Sequence, residues 1–255
     1  DVFFDLWKVK KKINLLRGSR GGGKTQGVVE RLMNKCYTAP YFKCYYGRKA
    51  YITVRETIFD TIVTCIEEAG AKSEFSYSKA DNSSMVIKCR RNGNSFIPFG
   101  CDKSEKLKGI KDPSDILCDE LEQFDFEDVK ELLPTLRTSK ADTQFWGSFN
   151  SYPVFLDYHW LVKVFFPDLY TGDDTKNMPD CDLKDVYYNI STIKDSYFIN
   201  QEEYESLLRL AAGGNETLFG GLARGDWGVV ENDNPWLYAF NEAKHVKPDI
   251  EFRPD

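Results

Sequence analysis

The chain is expected to adopt an α/β fold, a mostly parallel central sheet flanked by helices, and three observations carry that expectation. Strand-like and helix-like segments alternate along its 255 residues. A glycine-rich run, Gly18-Ser19-Arg20-Gly21-Gly22-Gly23-Lys24-Thr25, stands between a short apolar segment and one of helical spacing. Farther on, the apolar Ile116-Leu117-Cys118 ends in Asp119-Glu120.

The glycine-rich run has the pattern G-x-x-x-x-G-K-T, the spacing of a phosphate-binding P-loop. Glycines let backbone N–H groups turn inward around phosphate oxygens, where a side chain would obstruct them. Lys24 is suited to the β and γ phosphates of ATP, and Thr25 offers a hydroxyl to Mg²⁺. Ile13-Asn14-Leu15-Leu16 reads as the strand before the loop and Gln26 to Cys36 as the helix after it, which puts the phosphates at a helix N-terminus.

Ile116 to Glu120 supplies the second half of such a site. An apolar strand ending in Asp-Glu is a Walker B pattern: Asp119 reaches the Mg²⁺ shell, and Glu120 polarises a water in line with the γ-phosphate. Asp115 departs from the pattern, standing where a fourth apolar residue is usual. Two or three further strand-like segments lie between Lys24 and Asp119, and an intervening strand marks the motor-type ATPases. The expected class is therefore a P-loop NTPase of the additional-strand, catalytic-glutamate type. Neither an N-K-x-D guanine motif nor a kinase lid is evident.

The remaining elements follow in order. Phe42 to Gly47 reads as a strand, and Ile52 to Ala69 as a helix with Ile58, Ile62, Cys65, Ile66 and Ala69 on one face. Phe75-Ser76-Tyr77 and Met85 to Cys89 read as a hairpin turning at Asp81-Asn82-Ser83, and Asn94 to Gly100 as a strand. Gln144 to Asn150 is a strand, Phe155 to Phe166 a helix and Pro167 to Pro179 a polar surface loop. Val186 to Thr192 is a strand and Gln201 to Ala212 a helix, closed by the Asn232-Asp233-Asn234-Pro235 turn. The expected division is an ATPase core over 1–172 and a small lid subdomain over 173–235. Residues 236–255 then form a linker or the start of another domain.

Composition narrows the class. A hydrophobic fraction of 42% with 15% aromatics supports a buried core. The absence of eighteen consecutive apolar residues argues against a transmembrane helix, and the N-terminus lacks the layout of a secretory signal. Seven irregularly spaced cysteines without C-x-x-C argue for reduced thiols in a cytosol-like compartment and against zinc. With only His159 and His245, histidine-based chemistry has little support. The net charge of −6 disfavours simple coating of nucleic acid but permits a local basic surface, such as Lys8 to Lys12 or Lys103 to Lys111.

Asn150 and Ser148, at the tip of the strand after Walker B, are placed to sense loss of the γ-phosphate, with ordinary turn chemistry as the other reading. A cation must neutralise charge developing on that phosphate. Arg20, inside the loop, can act in cis. Arg48, Arg55, Lys106, Lys108 and Arg137 are further candidates, in cis or across a subunit boundary, with a surface salt bridge as the alternative for each. Trp7 is a candidate for holding the adenine.

Taken in order, these segments resemble the ATPase domain of the large terminase subunit of tailed bacteriophages, from Leu16 to Gly228. The specific parts are Lys106-Leu107-Lys108-Gly109-Ile110 before Walker B and Gly225-Asp226-Trp227-Gly228 near the end. The resemblance also takes in Arg48-Lys49, Leu133 to Arg137, Ser148 to Pro153 and Ile193 to Ile199; Asp226 stands where the family often has Glu. It implies an ATP-driven motor that pushes double-stranded DNA through a portal protein into a procapsid. The partners it implies are the small terminase subunit and other copies of the chain in a ring, often of five. It implies the host cytoplasm and, transiently, the procapsid portal as its location. Lys106 or Lys108 would correspond to a basic residue that reaches a neighbour's ATP. Family members also carry a metal-dependent nuclease domain; the chain stops about where that domain would begin, so no nuclease activity is expected of it. The rival readings are another P-loop DNA translocase or helicase-like ATPase, and a nucleotide switch that is not a motor.

Overall fold

Among the described residues, eight strands form one sheet. They are β1 (Ile13–Gly18), β2 (Lys43–Arg48), β3 (Phe75–Ser76), β4 (Ile87–Cys89), β5 (Ser95–Gly100), β6 (Asp115–Asp119), β7 (Gln144–Asn150) and β8 (Val186–Ser191). The computed structural model describes residues 2–102, 107, 109–151, 159–166 and 186–227. The strand order is β3-β4-β5-β2-β6-β7-β1-β8. From β5 to β8 every pairing is parallel, while β4 runs antiparallel to both of its neighbours. The sheet inserts β7 between the P-loop strand β1 and the Walker B strand β6, the arrangement expected of the additional-strand class.

Parallel strands covered on both faces read as continuous apolar runs, and β1 and β6 are buried along nearly their whole length. Leu16, Tyr46, Leu117 and Trp146 point to one face. There they pack beneath α1 (Lys24–Thr38) and α2 (Asp60–Glu68) through Val28, Val29, Leu32, Ile62 and Ile66. Leu15, Ile116, Phe145 and Phe149 point to the other. They meet Val129 and Leu132 of α3 (Phe126–Leu132) and Leu161 and Phe165 of α4 (Trp160–Phe165). A separate small core, Ile193, Leu208, Ala212, Phe219 and Ala223, gathers around α5 (Gln201–Ala211) and α6 (Glu216–Phe219). Among the described residues, no helix is long and apolar enough to cross a membrane.

Three expectations are corrected. The helix over 52–69 is broken: a 3₁₀ turn at Tyr51–Thr53 and a π-helical turn at Arg55–Phe59 precede α2, and Ala69 is exposed beyond its end. The Thr53 and Thr57 hydroxyls both bond backbone carbonyls of the preceding turn, a competition that loosens regular helical bonding. The helix expected over Phe155 to Phe166 runs from Trp160 to Phe165, starting there because His159 is extended and its Nδ1 accepts from Leu161 N–H as an N-cap; Phe155 to Tyr158 lie outside the described residues. The Val186–Ser191 segment, expected in the C-terminal subdomain, is the sheet edge beside β1. The Pro167–Pro179 loop and the Asn232–Pro235 turn lie outside the described residues.

Asp115 is fully buried yet fully engaged. Lys35 Nζ lies 2.9 Å from its Oδ1, Ser114 Oγ donates to Oδ2 at 2.7 Å and Trp146 Nε1 donates to Oδ1 at 3.3 Å. Burial raises its carboxyl pKa, and Lys35 and the two hydrogen bonds oppose that rise. The pair ties the P-loop helix to the start of the Walker B strand. Removing one partner of such a pair strands a buried charge, so Lys35→Met is expected to lower unfolding stability by about 3–5 kcal/mol. Lys35→Met combined with Asp115→Leu recovers most of that loss, as urea denaturation would measure.

Candidate nucleotide site

The groups that the sequence singled out at the centre of the site come from the C-terminal ends of parallel strands or, for Lys24 and Thr25, from the helix start that follows one, where ligands gather in open α/β sheets. Register enforces the alignment: Gly18 lies opposite Asn150, and Asp119 opposite Ser148. Arg20 to Gln26, Arg48, Asp119, Glu120 and Ser148 to Asn150 line a cavity of about 300 Å³.

The loop leaves β1 at Gly18 and enters α1 at Gly23, whose φ of 77° makes it a left-handed N-cap. That conformation is cheap for glycine alone, and it turns the free N–H groups of the first helical turn toward the cavity. Lys24 is buried, with Nζ donating to Ser19 O at 2.6 Å and Asn150 Oδ1 at 2.9 Å. Desolvation lowers its pKa to about 8, against the opposing pull of Glu122, Asp119 and Glu120.

Asp119 accepts three bonds. Its Oδ1 takes Thr25 Oγ1 at 2.7 Å and Ser148 Oγ at 2.8 Å, and its Oδ2 takes Arg48 Nε at 2.9 Å. The same guanidinium reaches Glu120, with Nη2 2.7 Å from Oε1. Glu120 is left-handed at φ 54°, sparsely populated for a non-glycine residue, and its Oε2 also accepts from Gln123 at 2.7 Å. Arg48 is therefore not the isolated surface salt bridge of the sequence reading but a clamp across both Walker B acids. Its place at the tip of β2, which pairs β6, was the available clue.

The other candidates divide. Arg20 is exposed at the cavity rim, its backbone N–H bonded to Leu222 O. Arg55 bonds Ser83 O at 2.6 Å, and Arg137 is exposed. Trp7 lines a neighbouring cavity together with Met33, Tyr37 and Phe75, apart from the phosphate loop. Lys106 and Lys108 lie outside the described residues.

Two features escaped the sequence reading. Glu122, past the Walker B pair, encloses its carboxyl tip beside Asn150 and Lys24; burial pushes its pKa up to about 7 against the hydrogen bonds and the Lys24 charge. And the C-terminal subdomain abuts the loop: Gly225, at φ 72°, is so close that a methyl group built on it would lie 2.9 Å from Gly18 Cα. Tyr204 and Ile199 crowd Gly21, the Ser151 hydroxyl donates to Gly225 O, and Arg17 stacks its guanidinium on the Trp227 ring.

The donor set fits ATP with Mg²⁺. Among the described residues no group of three or more His, Cys, Asp and Glu side chains could hold a metal. One carboxylate and one hydroxyl, Asp119 and Thr25, suit Mg²⁺, which keeps waters and takes its remaining ligands from phosphates. The buried hydroxyls of Ser19 and Ser191, without hydrogen-bond partners among the described residues, face the same loop region.

A sequence model of the phage terminase large subunit matches residues 10–219. The chain belongs to that family. No curated protein sequence matches it. Among solved structures it is similar to the large terminase of a thermophilic bacteriophage in complex with ADP (TM-score 0.67, 18% identity), covering 99% of this chain and 58% of that one. It is similar to the ATPase domain of the Thermus phage P74-26 large terminase (TM-score 0.63, 15% identity, 88% and 91% covered). A third likeness is to the HK97 bacteriophage large terminase (TM-score 0.58, 11% identity, 86% and 47% covered). The chain thus spans just under three-fifths of the first of these large terminases.

Glu122 makes stability depend on pH. Its carboxyl titrates at about 7 when folded against 4.5 as its ordinary value. Between those pH values the native state keeps a proton that the unfolded chain has released, so stability falls as pH rises through the window. Glu122→Gln removes this slope: the wild type is expected to lose about 2–3 kcal/mol relative to the variant between pH 4.5 and 7.5, by chemical denaturation at each pH.

Proposed function

We propose that this chain is the ATP-hydrolysing domain of a phage DNA-packaging motor. The observation that carries the reading is the convergence of Lys24, Thr25, Asp119, Glu120 and Asn150 at one end of the sheet in a terminase-family chain. The ADP-bound neighbour with the same fold supports nucleotide at this site.

In this reading Gly18, Ser19, Arg20, Gly21, Gly22 and Gly23 wrap the phosphates with backbone N–H groups. Lys24 turns from Ser19 and Asn150 toward the β and γ oxygens, and Thr25 and Asp119 hold Mg²⁺. Mg²⁺ held there would neutralise charge developing on the phosphates. Glu120, freed from Arg48 and Gln123, orients the attacking water and takes its proton. Arg20 faces the terminal phosphate from the rim and steadies its charge in cis, and Lys106 or Lys108 is kept as the candidate cation contributed to a neighbouring subunit. Asn150 and Ser148 feel the loss of the γ-phosphate. The Gly225 turn passes that displacement to the lid, which we place within 173–235, after β8, beyond a core that spans 1–172 together with that strand.

The polymer moved is double-stranded DNA, gripped through its phosphates, so its binding weakens with salt and ignores sequence. The partners are the portal protein, the small terminase subunit and further copies of the chain in a ring, five by the reading adopted here. The working site is the procapsid portal in the host cytoplasm. No nuclease chemistry is assigned to these residues.

Glu120→Gln is the direct test. It is expected to keep ATP affinity while lowering turnover by about 10²-fold or more, read as phosphate release beside nucleotide titration. Persistent turnover would remove Glu120 from its role. A hundredfold excess of ATP–Mg²⁺ over Kd is expected to stabilise the fold by about 2.7 kcal/mol. Chelation of Mg²⁺ should shrink that shift; thermal unfolding with and without chelator reads it.

A further inference from the structure

We infer that Glu122 is a positioning residue for Asn150, fixing which end of its side-chain amide faces Lys24. The inference rests on the assignment of Lys24 and Asn150 to the phosphate site made above.

Glu122 Oε1 accepts from both nitrogens of Asn150, the backbone N at 3.3 Å and Nδ2 at 3.4 Å. On the opposite side, Lys24 Nζ donates to Asn150 Oδ1 at 2.9 Å. An ammonium has no lone pair, and Glu122 Oε1 already accepts from the Asn150 backbone N–H, so only one orientation of the amide satisfies both neighbours, whether or not Oε2 carries a proton. A flipped amide would set NH₂ against NH₃⁺ and carbonyl against carboxyl. The two bonds to Glu122 are long and individually weak, but they share one acceptor and hold the backbone and side chain of Asn150 together.

Glu122 is itself held. Its carbonyl accepts from His159 Nε2 at 3.0 Å, and His159 Nδ1 accepts from Leu161 N–H at 3.2 Å. The two bonds dictate the Nε2–H tautomer and tether the segment after Walker B to α4. Its other carboxyl oxygen, Oε2, is enclosed without a partner among the described residues. Asn150, opposite Gly18 in register, therefore sits between a lysine that must leave it when phosphate arrives and a carboxyl that stays. Withdrawal of Lys24 frees only Oδ1, and the amide remains aimed at the cavity.

The test uses the whole chain and begins without nucleotide. The Asn150 side-chain NH₂ resonances, assigned by their loss in Asn150→Ala, should be protected from solvent exchange in the wild type and in Glu122→Gln, which keeps an acceptor. In Glu122→Leu exchange should quicken by about tenfold or more as the anchoring acceptor disappears. An unprotected wild-type amide, or no change in Glu122→Leu, overturns the proposal. With ATP, Glu122→Leu should lower kcat by about tenfold with KM within about threefold, and Glu122→Gln should restore it. The Glu122→Leu, Asn150→Ala double variant should be no slower than Asn150→Ala alone, since the two act as a unit. Multiplying losses would overturn the proposal and leave the ATP site standing. Failure of the wild type to bind ATP would overturn the site assignment instead, and the exchange result then decides the positioning of Asn150 by itself.

Discussion

The whole site hangs on one carboxylate. Asp119 collects a hydroxyl from the P-loop helix, a hydroxyl from β7 and a guanidinium from β2, so three separately folded segments are brought to one point. Burying an aspartate is costly unless its lone pairs are met, and here each bond that meets them also locates a functional group. The sheet order makes this possible. With β7 between β1 and β6, Ser148 and Asn150 reach the phosphate loop from one side, while Arg48 arrives from the other side of β6.

The electrostatics around that point are close to balance. Lys24 stands among Glu122, Asp119 and Glu120, and Arg48 spans the last two. A triphosphate entering such a place brings strong negative charge, which competes with these acids for both cations. The arrangement is one that a nucleotide must rearrange, not merely fill. The left-handed backbone of Glu120 concentrates local strain at the residue assigned to activate water, a common location for strain in functional sites.

Much of this was legible in the chain. The P-loop glycines, the Walker B strand and the tip of β7 carry signals that are local in sequence: fixed spacings, apolar runs and special backbone demands. What was not legible depends on partners far apart in the chain. Arg48 is 71 residues from Asp119 and looks like any charged strand end until β2 is known to lie beside β6. Glu122 reads as another acid in an acidic stretch until α4 and β7 enclose it. The break before α2 was missed because a hydrophobic face survives there: Ile58 and Ile62 are buried across the π-turn, and the threonine hydroxyls that disturb the helix leave no mark on apolar spacing. Asp115, which looked like a blemish in the Walker B strand, is instead half of a buried tie to the P-loop helix.

Gly18 and Gly225 meet main chain to main chain, with no side chain between them. Side chains absorb small displacements by changing rotamer; two bare backbones in van der Waals contact have no such play. A Cβ at position 225 would press on Gly18, so the spacing between the start of the phosphate loop and the helical unit beyond it is set by the lack of a side chain there.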